Sequence, residues 1–141
     1  MILLDTNVVS EPWKPAPDPR VAAWLDAQAI DTLYLSAVTV AELRFGIAVM
    51  PPGKRRDTLD HRLEHDVLPL FAGRVLAFDL DASRAYADGM AAARRGGAPI
   101  GLADGYIAAI AATHGLVVAS RDTRPFAAAG LAVVDPWQAT P

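Results

Sequence analysis

The chain has 141 residues, the length of one ordinary domain, a net charge of −3, 52% hydrophobic residues and a mean hydropathy of +0.23. That is enough apolar material for a packed core, which excludes a disordered chain, and no apolar run approaches the roughly 20 residues of a membrane span. Absence of cysteine excludes disulfides and thiolate metal sites, and with no basic-then-apolar leader the expected location is the cytoplasm, away from any membrane.

Ile2, Leu3 and Leu4 run straight into Asp5, Thr6 and Asn7. A short unbroken apolar run closed by small polar residues reads as a strand buried on both faces, with Asp5 where the chain turns into a helix. In open α/β sheets that carboxyl edge is where ligands bind. Prolines at 12, 15, 17 and 19 then make a loop. Asp18 followed by Pro19 starts a helix to about Gln28, with Val21, Trp24 and Leu25 on its apolar face.

Leu33 to Ser36 is a second strand, and Thr39 to about Met50 is helical by its spacing of Val40, Leu43 and Ile47. Pro51, Pro52 and Gly53 stop it. The next helix, from Lys54 to about Phe71, carries a stripe at Leu59, Leu63, Val67 and Leu70. Val75 to Phe78 is a third strand. Asp81 is expected to cap a helix that runs to Arg95 with Tyr86, Met90 and Ala93 inward. Leu102 to His114 is apolar nearly all round, so it belongs inside, and Gly115 closes it. Leu116–Ala119 and Leu131–Val134 are the last strands, with a helical turn near Phe126 between them. Alternation of strand and helix from end to end predicts one α/β domain over 1–141, a mostly parallel central sheet with helices on both faces.

Most of the sixteen acids have an ordinary place as caps or on solvated helix faces. Four do not. Asp5 and Asp122 each follow a strand directly, so they share one edge of a parallel sheet. Glu42 and Asp104 lie in apolar helices with no base three or four residues away. Each has an ordinary reading as well: a turn residue for Asp5 and Asp122, a capping box Thr39-x-x-Glu42, a dipole-favoured first-turn acid for Asp104. If Ser36 is the true cap, Glu42 falls in the second turn and loses that role. Carboxylates gathered without bases repel one another and call for a divalent cation. Oxygen-only ligation points to Mg²⁺ or Mn²⁺, ions that serve phosphate chemistry.

The acidic balance argues against a nucleic-acid partner, because such domains usually carry a basic footprint. Gathering four acids into one site removes much of that objection. Basic residues also cluster at Lys54, Arg55 and Arg56 and at Arg94 and Arg95, while Arg44 and Arg121 adjoin the acids.

The pieces LLDTNVVSE at 3–11, LSAVTVAELRFGI at 35–47, PIGLADGYIAAIAATHG at 99–115, VASRDTRPF at 118–126 and VVDPW at 133–137 stand in an order that resembles the PIN-domain ribonucleases, specifically the VapC/FitB-type toxins of type II toxin–antitoxin pairs. The resemblance covers nearly the whole length. It implies an acidic catalytic and metal site at Asp5, Glu42, Asp104 and Asp122, supported by Thr6, Asn7 and Ser120. It also implies Mg²⁺- or Mn²⁺-dependent cleavage of RNA by metal-activated water, a homodimer, and a cognate antitoxin protein. Arg44, Arg121, Arg55, Arg56, Arg94 and Arg95 are the candidates for holding RNA phosphates. Two departures stand out: Ser120-Arg121-Asp122 where many relatives read Thr-Arg-Asn, and Gly105 after Asp104 where a larger residue is common.

Three other readings compete. His61-Arg62-Leu63-Glu64-His65 matches the inverted zinc-protease signature, but both histidines project away from the Leu59–Leu63 stripe and no third ligand is evident. An aspartyl-phosphate enzyme would want a second acid where Asn7 stands. A catalytically weak domain that only binds RNA or a partner is the non-enzyme alternative, and the presence of all four acids weighs against it.

Overall fold

The protein is described by a computed structural model over residues 1–138; the last three positions of the expected 1–141 domain lie outside the described residues. The strands β1 (Ile2–Leu4), β2 (Leu33–Ser36), β3 (Val75–Leu76), β4 (Val117–Ala119) and β5 (Val133–Val134) form one sheet in the order β3-β2-β1-β4-β5. Every pairing is parallel. Parallel neighbours need a crossover, and the helices supply it: α1 (Thr6–Ser10), α2 (Pro19–Asp26), α3 (Ala37–Ala48), α4 (Lys54–His61), α5 (Leu80–Arg95), α6 (Leu102–His114) and α7 (Arg124–Ala128).

Alternation along the strands divides the core in two. Leu4, Leu33, Leu35 and Ala119 face a cluster with Val8, Val40, Leu43, Ile47, Leu59, Leu63 and Phe71. Leu3 and Val118 face the other way, onto Ile107, Ile110, Ala111 and Phe126. Helix α6 is buried over most of its length, as its composition requires, and Gly115 ends it in the left-handed conformation at φ 64°. Among the described residues no helix is long and apolar enough to cross a membrane.

Three local expectations are corrected. The cap of α5 is Asp79, which accepts from Ala82 N–H, not Asp81, so Asp81 is a first-turn acid instead. Ser36 caps α3 by accepting from Thr39 N–H at 2.9 Å, which starts that helix two residues early. The segment 54–71 is not one helix: α4 passes into a π-helical stretch at Arg62–Val67 and a 3₁₀ turn at Leu68–Phe71. Pro69 explains the break, because it has no N–H to give and its ring crowds the carbonyl four residues back. The wider turn shifts the faces that follow, so Phe71 is buried and Leu70 is 56% exposed, the reverse of the expected stripe.

Candidate functional site

The site is built at the carboxyl edge of β1, between its two neighbours. The register pairs Leu4 with Ala119, which sets Asp5 beside Ser120 although 115 residues separate them. Asp5 N–H continues the ladder to the Ala119 carbonyl at 2.9 Å. Its side chain then caps α1, Oδ1 accepting from Thr6 N–H at 2.8 Å, while Oδ2 accepts from Ser120 Oγ at 2.7 Å. Ser120 is fully buried, and its hydroxyl oxygen accepts from Asp122 N–H at 3.2 Å, tying the Asp122 loop to the strand end.

On the other side Thr6 Oγ1 donates to Glu42 Oε1 at 2.7 Å and lies 3.2 Å from Thr39 Oγ1. With Ser36 as cap, Glu42 stands in the second turn of α3, beyond reach of a capping box. Asp104, in the first turn of α6, completes the group.

Asp5 is 7% exposed. Burial pushes its carboxyl above the ordinary carboxylate range against the hydrogen bonds from Ser120 and Thr6, and the charges of Glu42 and Asp122 push the same way. Asp104 is raised likewise, by burial first and then by Asp5, Glu42 and Asp122. The four acids therefore occupy one electrostatic environment. Among the described residues Asp122 alone of the four makes a salt bridge, a 3.3 Å contact with Arg124 in which both side chains are exposed.

The donor set is all hard oxygen, which suits Mg²⁺ or Mn²⁺. Asn7 Oδ1, in the first turn of the helix that Asp5 caps, is buried with no hydrogen-bond partner among the described residues. Among the described residues no three His, Cys, Asp or Glu side chains form a group that would enclose an ion by themselves.

The structure draws the candidate arginines to different places. Arg44 makes a bidentate pair with Glu64 at 2.8 and 3.0 Å, and Arg55 donates to the Trp13 carbonyl at 2.7 Å. Arg121 stacks over Trp137, 5.3 Å from the ring centre. Arg56, Arg94 and Arg95 remain on the surface, the last two in the final turn of α5. Sequence reasoning passed over Arg124. Asp122 and Arg124 lie past the end of β4, where no strand or helix fixes how side chains two residues apart are aimed, so only the turn between β4 and α7 reveals the contact.

Comparison with known proteins gives a consistent result. The PIN domain family model matches residues 2–131. The chain is 66% identical to "VapC ribonuclease Y4jK" of Sinorhizobium fredii, over 98% of this chain and 99% of that one. It is 54% identical to "Toxin FitB" of Neisseria gonorrhoeae, over 97% and 99%. Among solved structures, that of FitAB bound to an IR36 DNA fragment superimposes with a TM-score of 0.97 at 50% identity, covering 100% of this chain and 99% of that one.

Proposed function

The chain belongs to the PIN domain family, and on that premise we propose that it is the toxin of a type II toxin–antitoxin pair, a divalent-metal-dependent endoribonuclease acting in the cytoplasm. The observation that carries this reading is the raised pair of carboxyls Asp5 and Asp104, without a salt-bridge partner among the described residues and held at one sheet edge with Glu42 and Asp122. The hydrogen bonds that Asp5 accepts from Thr6 and Ser120 offset only part of the burial of such a group. A bound cation would offset the rest.

Mg²⁺ or Mn²⁺ held by these carboxylates would supply an acidified water and offset the negative charge that builds up on a phosphodiester under attack. The chain's own contribution is position. Ser120 fixes Asp5 Oδ2 and Thr6 N–H fixes Oδ1, leaving the remaining lone pairs of both oxygens for a ligand. Thr6 Oγ1 restrains Glu42, which stands exposed at the mouth of the site where water and substrate arrive. Asn7 Oδ1 offers a further acceptor for an ordered water.

The partner reading rests on the likeness to FitB, whose solved structure is a FitAB complex on DNA. By that likeness this chain acts as a homodimer and is neutralised by a small cognate antitoxin. RNA phosphates would find Arg56, Arg94 and Arg95 without rearrangement, whereas Arg44, Arg55 and Arg121 would first have to leave their present contacts.

Asp5→Asn and Asp104→Asn test the proposal. Each should lower cleavage of single-stranded RNA at least about a hundredfold while circular dichroism stays that of the parent. Chelation by EDTA should stop the parent enzyme and Mn²⁺ should restore it. Full activity in both variants would overturn the metal-site reading.

A further inference from the structure

Beside the acids lies a second feature that their proposed role does not use. An open cleft of about 360 Å³ runs between the loop 98–101 and helix α7, floored by Asp104 and Asp122 at one end. Its walls are small or flat: Pro99 and Gly101 on one side, Pro125 and Ala128 on the other. Arg124 is the one cation among the residues that line it. The volume sits at the small end of the range for ligand sites, room for a single nucleotide and not for a duplex.

Arg124 is held loosely. Its Nε lies 3.3 Å from Asp122 Oδ1, and the arginine side chain is 91% exposed. An exposed pair of this kind is weak, so a phosphate that accepts two guanidinium hydrogen bonds displaces it readily. The proline rings and the alanine and glycine surfaces carry no competing charge and suit the face of a base or ribose.

We propose that this cleft receives the nucleotide adjoining the phosphate to be cut, with Arg124 exchanging Asp122 for that nucleotide's phosphate as RNA docks. The exchange has a consequence for the acids: docking removes the one cation paired to Asp122 among the described residues, so the fourth carboxylate becomes available as substrate arrives. The inference rests on the ribonuclease reading above, and it assigns Arg124 a substrate-binding part in that reaction.

The test separates the two. Asp5→Asn protein serves as the parent, so that a fluorescein-labelled 12-nucleotide single-stranded RNA is bound and not cut. No cleavage of this RNA by the unsubstituted protein with Mn²⁺ would strike at the ribonuclease reading, and continued cleavage by Asp5→Asn at its metal site, whatever Arg124 does. In this background Arg124→Ala should weaken RNA binding about tenfold at low salt and flatten the salt dependence by about 0.7 in log–log slope. Ala128→Leu, which narrows the cleft without altering charge, should weaken binding severalfold with the slope unchanged. Arg62→Ala is the control for net charge, on the far side of the sheet beside the Leu59 and Leu63 cluster; it should change affinity less than twofold. Unchanged binding in both Arg124→Ala and Ala128→Leu would overturn the proposal. So would an equal loss in Arg62→Ala, which would make the effect one of overall charge.

Discussion

Asp5 and Glu11 are two buried carboxylates six residues apart, 7% and 4% exposed, and the fold treats them in opposite ways. Glu11 meets Lys14 at 2.8 Å and accepts from Asp18 N–H at 3.1 Å, and Lys14 foremost holds its carboxyl below the ordinary range. Asp5 meets no cation among the described residues, and burial holds its carboxyl above the ordinary range. One acid fastens the loop between α1 and α2. The other caps α1 and stands at the sheet edge among like charges, with burial raising its carboxyl. Under the metal-site proposal the second carboxylate serves a cation as well as the fold.

The largest expected effect breaks this comparison apart by activity. Asp5→Asn should remove RNA cleavage while leaving melting temperature at or above that of the metal-free parent, because it deletes a desolvated charge among like charges. Glu11→Gln should do the reverse: cleavage within about threefold of the parent and a stability loss of about 1 kcal/mol from the orphaned Lys14 and the weakened cap. Thermal melts and a cleavage assay on the same two proteins decide it. A loss of stability in Asp5→Asn equal to that in Glu11→Gln would make Asp5 an ordinary structural acid.

A smaller effect comes from the residue that positions Asp5. Ser120→Ala removes the 2.7 Å donor to Oδ2, which is the strongest influence lowering the Asp5 carboxyl. Metal affinity should fall about 10- to 100-fold, as is usual for groups that orient a ligand. The readout is the Mn²⁺ concentration for half-maximal cleavage, which should rise while the rate at saturating Mn²⁺ changes little. An unchanged Mn²⁺ requirement would show that Ser120 only ties the loop down.

The pH dependence of stability sharpens the contrast further. A carboxyl raised in the folded state keeps its proton to higher pH than the unfolded chain does. The stability from Asp5 is therefore full below the unfolded value of 3.8 and is lost as pH rises through the raised value. Glu11 is the opposite case: its contribution is full above 4.5 and is lost as pH falls through the lowered value. In metal-free protein the gain in melting temperature of Asp5→Asn over the parent should be present at pH 7 and shrink as pH approaches 4. The deficit of Glu11→Gln should persist at pH 5 and shrink only below 4.5. Parallel curves for the two variants would remove the distinction.

Much of this was legible in the chain because it depends on local signals that tertiary structure has no reason to override. Apolar runs alternating with helical stripes predicted the parallel sheet, and three of the four acids stood out by lying at strand ends or helix starts. Glu42 stood out by lacking a base within one turn. What escaped depends on chain geometry that no period encodes. The π-helical stretch before Pro69 turned Leu70 outward and Phe71 inward. Asp79 took the cap because the chain enters α5 two residues earlier than Asp81 allows. Arg44 and Arg121 adjoin the acids in sequence, yet long side chains go where a partner is, here to Glu64 and to the Trp137 ring. Arg124, the first residue of the short helix α7, gave no signal at all.

The smallest effect concerns the motif that competed with the acids. His61 and His65 are both exposed, with ring centroids 4.6 Å apart in a stacked arrangement. Glu64, the acid of the inverted zinc-protease signature, is taken up by Arg44 in a two-point pair and held below its ordinary range by it. An acid so occupied is a poor general base, and two stacked rings on a solvated face do not converge on an ion. Replacing both histidines by alanine should leave cleavage within about twofold of the parent and the Mn²⁺ requirement where it was, since helix propensity at exposed positions shifts stability by only about 0.7 kcal/mol per residue. Zn²⁺ added to the parent should likewise give no shift in melting temperature that the double variant lacks. A Zn²⁺ shift abolished by the double substitution would restore the histidines as a metal site, separate from the edge where Asp5 stands.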